Sequence, residues 1–196
     1  NEVPVLLGRA LKEDVPIIIL NLTRPPIEIP DREALGLASY FESAHGAYIL
    51  KDYENGKEKM GVVIVQGTSP VSEIIKIIPK LREEGLNVKI VVASSYELFM
   101  RESEEYRNKV ISKDEWINSM VITNECLKNM SDWIFSKINE EYSMSSDWDN
   151  RWRTGGTVEE VLEEAHLTKD YIFEGIRKFV KDKDLRIKKI KEYLNF

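Results

Sequence analysis

The pattern of apolar and polar positions between residues 61 and 111 predicts alternating strands and helices. Residues 62–65 form a short continuous apolar run rich in β-branched side chains, which is typical of a strand covered on both faces. A polar turn follows, and residues 71–84 then show the apolar spacing of a helix. Residues 88–92, which are apolar except for Lys89, are expected to form the next buried strand. This order predicts a βαβ unit with parallel strands and a right-handed crossover.

The turn between the first strand and its helix consists of Gly67, Thr68 and Ser69. Ser69 is the expected N-cap of a helix that has Pro70 at its first position. Free backbone amides at such a helix start can bind an anion, whereas the same residues also make an ordinary tight turn. The turn lacks the glycine spacing of a dinucleotide-binding loop and the lysine of a P-loop, which favours the structural interpretation.

Apolar patterns on both sides of this unit predict further elements. Residues 3–12 have the spacing of an amphipathic helix, and residues 17–22 form a hydrophobic strand. No second strand follows closely, so the backbone groups of residues 17–22 need neighbours from elsewhere in order to pair. Downstream, residues 120–123 are expected to form a strand and residues 127–138 an amphipathic helix.

The remaining expected elements are shorter. They are a helix at 32–37 capped by Asp31, a hairpin-like strand at 48–52 before Asn55-Gly56, a strand at 142–144, a helix capped by Thr157 and Glu160, a helix that begins at Lys169 after Thr168, and a solvated helix at 181–191.

Composition narrows the class of protein. A chain of 196 residues suits one domain, or one domain and part of another. The formal charge of −6 argues against a general nucleic-acid or anionic-membrane surface, because both need a dominant basic face. Cys126 is the single cysteine, so an intrachain disulfide is excluded and a reducing compartment is expected. With no leader or membrane-spanning run in the sequence, we expect a cytoplasmic location.

Few side chains suggest chemistry on their own. His45 and His166 are the only histidines, and neither has cysteines or carboxylates at ligand spacing, so no metal site is expected. Cys126 lacks a partner motif for nucleophilic work and is expected to be buried. No catalytic residue is predicted.

Two features remain open from the residues alone. Arg24 follows the hydrophobic strand at 17–22, at the end where open α/β sheets bind ligands, and it is either a ligand contact or a surface arginine on a turn. Trp148 and Trp152 lie beside Arg151 and Arg153, and this cluster forms either a contact surface or a loop that folds back on the protein.

Several motifs, taken in order, resemble the C-terminal domain of transketolase. The βαβ unit with Gly67-Thr68-Ser69 is followed by Glu97-Leu98-Phe99 and Tyr106-Arg107, as in that family. Further similar stretches are Thr23-Arg24 after the first strand, residues 45–52 as an interdomain linker, and residues 155–162 with Leu167-Thr168 near the end.

The resemblance implies a fold and a division of the chain. The expected fold is α/β, a three-layer α/β/α C-terminal domain with a mostly parallel sheet, preceded by a partial α/β segment. Residues 1–58 would be the tail of the pyrimidine-binding middle domain with its linker, and residues 59–196 the C-terminal domain.

The resemblance also implies a function. Transketolases use thiamine diphosphate with Mg²⁺ or Ca²⁺ to transfer two-carbon ketol units between sugar phosphates. Arg24, with Thr23, matches the family's Ser-Arg pair that holds the sugar phosphate. The cofactor-binding Gly-Asp-Gly stretch belongs to earlier domains and is absent here, so this chain alone is expected to bind no cofactor and to be inactive. Its partners would be the remainder of the enzyme and a second subunit of a homodimer.

Two alternatives remain. The chain could be the C-terminal part of a homodimeric 2-oxoacid dehydrogenase E1 subunit, which acts on unphosphorylated oxoacids. It could also be a stand-alone, non-catalytic α/β binding or regulatory module.

Overall fold

The computed structural model describes residues 1–22 and 27–194. Within these residues the centre of the fold is a five-stranded sheet in the order β1-β3-β2-β4-β5. The strands are β1 Ala47–Lys51, β2 Val62–Gln66, β3 Lys89–Ala93, β4 Ser119–Thr123 and β5 Met144–Ser145. The pairs β2–β3, β2–β4 and β4–β5 are parallel, and β1 pairs antiparallel with β3 at the edge. The predicted α/β class with a mostly parallel sheet is confirmed.

Helices connect and flank the strands. The α-helices are α1 Glu2–Lys12, α2 Thr68–Glu83, α3 Tyr96–Met100, α4 Glu104–Val110, α5 Lys113–Ile117, α6 Lys137–Glu140, α7 Val158–Glu164, α8 Lys169–Lys181 and α9 Lys183–Tyr193, and two 3-10 helices span Tyr40–His45 and Leu127–Trp133. Among them, no helix of the described residues is both long and apolar enough to cross a lipid bilayer.

The sheet is covered on both faces, which makes three layers. Successive side chains of a strand point to opposite faces, and β2 therefore contributes Val63 and Val65 to one core and Val62 and Ile64 to the other. The first core contains α2 and α8, and the second contains Phe99, Val110 and the 3-10 helix Leu127–Trp133. Because residues 62–65 of β2 are completely buried, this part of the strand has apolar side chains on both faces and no polar alternation.

The connections create a switch point in the sheet. From β2 the chain passes through α2 to β3 on one side, and it later returns to β4 on the other side of β2. The loops that follow β2 and β4 therefore leave the sheet in different directions. In open α/β sheets this crevice, outside the carboxyl ends of the strands, is where ligands bind.

The predicted strand at residues 17–22 is absent from the described structure. These residues have no regular secondary structure, and Ile17, Ile19 and Leu22 are 76%, 80% and 65% exposed. A strand needs a neighbour to accept its backbone hydrogen bonds, and the described residues offer none beside this segment. We call residues 17–22 the apolar run.

The predicted start of α2 was wrong in detail. Gly67 occupies the N-cap position with φ 95°, and α2 begins at Thr68, so Ser69 lies inside the helix and caps nothing.

The predicted strand at 48–52 is present as β1, but its partner is β3 rather than a hairpin neighbour. Residues 32–36 form a turn instead of the predicted short helix, although Asp31 Oδ1 accepts a hydrogen bond from the Ala34 amide.

The region predicted as one helix at 127–138 is two short elements. The 3-10 helix Leu127–Trp133 ends where Trp133 is buried in the second core, and α6 then begins at Lys137. The side chain of Ser136 accepts a hydrogen bond from the Asn139 amide and so starts a new helix rather than continuing the old one.

The two predicted starts of the C-terminal helices have different outcomes. The capping box of Thr157 and Glu160 before α7 is confirmed. Thr168 does precede α8, but its side chain accepts no capping hydrogen bond; the Lys169 amide instead donates to Glu73 Oε2 at 3.0 Å.

Candidate functional site

A partly buried polar network attaches the N-terminal segment, residues 1–22 and 27–45, to the sheet. The Tyr48 hydroxyl of β1 donates to Glu2 Oε1 of α1 at 2.5 Å, and Arg32 Nη1 donates to that hydroxyl at 2.8 Å. Arg32 Nη2 also donates to Glu2 Oε1 at 2.5 Å, which closes a triangle of partners. Burial, with the nearby Glu2 carboxylate, raises the pKa of the Tyr48 phenol, so its proton stays on the oxygen. This triangle positions α1 and the residues around Arg32 rather than performing chemistry.

A second polar contact supports the same attachment. Glu102 Oε1 lies 3.0 Å from His45 Nδ1 and 3.2 Å from Arg9 Nη2 of α1. The His45 ring also stacks on Tyr106 at 4.4 Å between ring centroids. His45 is therefore part of the contact between α1 and the domain.

A cavity of 760 Å³ lies between the N-terminal segment and α2. Its wall includes Glu2, Arg32, Thr68 and Ser72. Because Glu2 and Arg32 are already paired with each other, these two side chains leave no uncompensated charge facing the cavity. The cavity is consistent with a contact region between two parts of the chain.

The apolar run leads from this attachment toward the carboxyl end of β4. Asn21 Nδ2 donates to Glu125 Oε1 at 3.4 Å, two residues after β4 ends. Thr23 and Arg24, the predicted substrate-binding residues, lie outside the described residues, so their role stays a prediction.

The turn after β2 is shaped by a close approach. A Cβ at Gly67 would overlap the Asn124 side chain, and the φ of 95° is itself a conformation reserved for glycine. Glycine is therefore required here to let the loops after β2 and β4 come together.

The tryptophan and arginine cluster divides into an inward and an outward part. Trp148 stacks on His166 at 4.1 Å, and His166 stacks on Tyr171 at 4.3 Å. Arg153 is only 10% exposed and donates to the Glu164 carbonyl at 2.9 Å. Trp152 instead is 97% exposed. The folded-back interpretation therefore holds for Arg153, whereas a contact surface at Trp152 stays a prediction.

The remaining candidate groups show no assembled chemistry. Cys126 is exposed, so the expectation that it is buried was wrong. Within residues 1–22 and 27–194, no group of three or more His, Cys, Asp or Glu side chains is arranged to hold a metal ion. The residues that sequence reasoning missed are Glu2, Arg32 and Tyr48, because each lies far from the others along the chain and no local pattern links them.

Comparison with known families adds what the geometry cannot supply. The family model described as Transketolase-like TK C-terminal domain matches residues 46–145, which is just over half of the chain and contains all five strands. The chain belongs to the transketolase C-terminal domain family. The predicted resemblance is confirmed.

Two curated transketolases are similar to this chain over about half of its length. Transketolase, chloroplastic, from Zea mays is 33% identical over 99 residues, which is 48% of this chain and 14% of that protein. Transketolase 10 from Craterostigma plantagineum is 28% identical over 97 residues, which is 49% of this chain and 13% of that protein. The chain thus spans only a small part of the transketolases it matches.

Solved transketolase structures share the fold. The transketolase from Leishmania mexicana has a TM-score of 0.53 at 15% identity, covering 74% of this chain and 19% of that one. The transketolase from Pichia stipitis in complex with sedoheptulose-7-phosphate has a TM-score of 0.51 at 18% identity, with the same coverage. At these identities the likeness establishes the fold alone. The division at residues 1–58 and 59–196 stays a prediction, and β1 on its N-terminal side pairs with β3 on its C-terminal side.

Proposed function

We propose that this chain is the C-terminal portion of a transketolase-like thiamine diphosphate enzyme. The complete enzyme transfers two-carbon ketol units between sugar phosphates, and it works as a cytoplasmic homodimer. The portion in hand has a structural and dimerising role, and it contributes Arg24, with Thr23, to the binding of the substrate phosphate. The observation that carries this proposal is the match of residues 46–145 to the transketolase C-terminal domain.

The exposed apolar run supports the idea that the working protein is larger. Ile17, Ile19 and Leu22 present apolar side chains to solvent at a segment whose backbone has no strand neighbour among the described residues. Such a surface is costly unless another part of the protein covers it. The small share of the related transketolases that this chain spans, 13–19%, is consistent with that reading.

The cofactor is assigned to the rest of the enzyme, because the residues in hand do not fit it. The chain contains no Gly-Asp-Gly stretch, and its described residues offer no carboxylate cluster for the divalent ion that would accompany the diphosphate. No step of the reaction is therefore attributed to this chain.

Cofactor binding tests the proposal directly. Thiamine diphosphate with Mg²⁺ is titrated calorimetrically into the 196-residue chain and into the complete natural polypeptide that carries it. We expect heat of binding from the complete polypeptide only. Absence of binding to both would overturn the enzyme proposal and favour a stand-alone α/β module.

The role of Arg24 is tested by Arg24→Ala in the complete polypeptide. An arginine donates two aligned, charge-assisted hydrogen bonds to a phosphate, so its loss should lower kcat/KM for phosphorylated sugars about ten- to a hundred-fold. Arg151→Ala is the matched control, because the Arg151 side chain is 64% exposed and, among residues 1–22 and 27–194, forms an ion pair with Asp149 alone. Unchanged kcat/KM in Arg24→Ala would refute the assignment, and activity on 2-oxoacids instead of sugar phosphates would favour the E1 alternative.

A further inference from the structure

The connection between β1 and β2 carries an Asn-Gly pair at its tip. Asn55 and Gly56 are both exposed, and Gly56 has a φ of 76°. A Cβ added at Gly56 would meet no atom within 4 Å, so there is open space around this peptide. Such a pair is typical of a turn, and it also places a side-chain amide next to the least hindered kind of backbone nitrogen.

A buried side chain holds both ends of this turn. Asn87 is 3% exposed, and its Oδ1 accepts from the Glu54 amide at 2.8 Å. Its Nδ2 donates to the Glu58 carbonyl at 3.0 Å and lies 3.3 and 3.4 Å from the carbonyl oxygens of Glu54 and Lys57. Asn87 therefore fixes the residues on each side of the tip, whereas the peptide at the tip takes no part in these bonds.

The backbone nitrogen of Gly56 is available for reaction. Among residues 1–22 and 27–194, its N–H donates to no backbone carbonyl. The turn is closed by a long hydrogen bond, from the Lys57 amide to the Glu54 carbonyl at 3.4 Å. Because glycine adopts positive and negative φ at similar cost, the Asn55–Gly56 peptide can rotate while the two ends of the turn stay in place.

These features suit ring closure between the Asn55 side chain and the next backbone nitrogen. The Gly56 nitrogen gives its proton to hydroxide and forms a bond to Cγ of Asn55. The Cγ–Nδ2 bond breaks, and the leaving nitrogen takes a proton from water and departs as ammonia. Water then opens the resulting succinimide: rupture of the Cγ–N bond gives aspartate, and rupture of the backbone C–N bond gives isoaspartate. Hydroxide and water are the co-reactants, and nothing is oxidised or reduced.

A second Asn with a small residue after it lies in a different setting. Asn118 precedes Ser119, but its Oδ1 accepts from Nη2 of the fully buried Arg186. Its backbone carbonyl accepts from the Val62 amide at 2.9 Å, and Ser119 begins β4 beside β2. Ring closure at Asn118 must therefore break a hydrogen bond to a charged group and disturb the sheet, so this residue is an internal control.

We propose that Asn55 is a site of spontaneous deamidation and isoaspartate formation in the folded protein. Both products add a carboxylate to the connection between β1 and β2. Isoaspartate also adds a methylene group to the backbone between the two points that Asn87 holds. The proposal depends on this connection alone, and it holds whether or not the complete polypeptide is a transketolase.

Timed mass spectrometry of the folded 196-residue chain tests the proposal. The chain is incubated at about pH 8, since the attacking nitrogen must first lose its proton, and is then digested with trypsin. Lysines at the cleavage points release residues 52–57 and 114–128 as separate peptides. We expect Asn55 to convert about ten- to a hundred-fold faster than Asn118, because closure at Asn118 breaks a bond to a charged group. The converted 52–57 peptide should separate into aspartyl and isoaspartyl forms, and equal rates at the two residues, or no conversion at Asn55, would overturn the proposal.

Three controls show whether the reaction belongs to the folded turn. A sample digested without incubation corrects for conversion during digestion. A synthetic peptide of residues 52–57 reports the reaction without the fold, and conversion of that peptide while the folded chain stays intact would refute the proposal. Asn55→Gln, a change at an exposed position, requires a larger ring and should abolish conversion in this peptide. The same mass increase in Asn55→Gln would show that another group reacts.

Discussion

The hydroxyl group of Tyr48 provides the sharpest test of how the N-terminal segment is held. In Tyr48→Phe the ring stays in the core, where Tyr48 is 1% exposed, and only the oxygen atom is lost. That atom donates to Glu2 and accepts from Arg32, and both partners are charged. The variant therefore removes two charge-assisted hydrogen bonds without creating a cavity of any size.

The expected loss follows from those two bonds. A hydrogen bond to a charged group contributes about 1.5–3 kcal/mol. Glu2 and Arg32 still pair with each other in the variant, which limits the penalty for leaving them without the hydroxyl. We therefore expect the free energy of unfolding to fall by about 2 kcal/mol, a sizeable part of the 5–15 kcal/mol that is typical of a domain.

Urea unfolding measures the total change, and amide hydrogen exchange locates it. Exchange should accelerate most in α1, because α1 carries Glu2. Tyr142→Phe is the control, since its hydroxyl makes a single bond to Asp182 at 3.2 Å on a less buried residue. A loss in Tyr48→Phe no larger than in Tyr142→Phe, or unchanged exchange in α1, would refute the reasoning.

Alkaline pH gives a second measurement on the same group. Burial raises the pKa of Tyr48 in the folded protein, whereas the unfolded chain has the ordinary value of about 10. The contribution of the Tyr48 hydroxyl to the free energy of unfolding is therefore fully present below pH 10. It is lost as pH rises further, at about 1.4 kcal/mol per pH unit. Tyr48→Phe should show a slope shallower by that amount, and an identical slope would contradict the assignment.

Three further predictions concern the domain itself, and urea unfolding measures each of them. Gly67→Ala should lower the free energy of unfolding by about 3 kcal/mol or more, because Gly67 has a positive φ and an added Cβ would collide with the Asn124 side chain. Gly85→Ala, at φ 69° with open space around it, should lower it by about 1–2 kcal/mol. Equal losses in the two variants would contradict this reasoning. Arg186 is fully buried and donates to the Phe179 carbonyl and to Asn118 Oδ1, two acceptors that a lysine cannot reach together. Arg186→Lys should therefore lower the free energy of unfolding by about 2 kcal/mol. No loss would show that only the charge matters. Lys89→Met removes the 2.7 Å ion-pair partner of the half-buried Glu115 carboxylate, and at pH 7 it should lower the free energy of unfolding by about 3 kcal/mol. At pH 4 the loss should be smaller, because the Glu115 carboxyl can take a proton. The same loss at both pH values would refute the pairing.

The sequence predicted the parallel core well, because that core is encoded by local runs. Residues 62–65 are a continuous run of β-branched apolar residues, and residues 88–92 are the same except for Lys89, a composition typical of strands with both faces covered. The capping box at Thr157 and Glu160 was equally readable, since all its partners lie within three residues.

Residues 127–138 show where local spacing misled. The apolar positions have a helical period, but burial of Trp133 in the second core stops the 3-10 helix there. Ser136 then offers its side chain as a cap, and a new short helix starts. Packing against the sheet overrides a weak helical preference at this point.

The candidate site was only partly readable. The turn at Gly67 was found from the sequence, but its close approach to the Asn124 side chain was not, because Asn124 lies in the loop that follows β4. Sequence spacing carries no information on that convergence, since it depends on the order of strands in the sheet.

The sequence by itself determined the α/β class and the βαβ unit, because the apolar and polar residues within one strand or helix decide which of its faces are buried. The order of short motifs along the sequence also indicated the family. Only the tertiary structure decided that β1 pairs antiparallel with β3, and that Glu2, Arg32 and Tyr48 meet. Those contacts join residues up to 46 positions apart, and they form because buried polar groups must find partners wherever the packed chain brings them together.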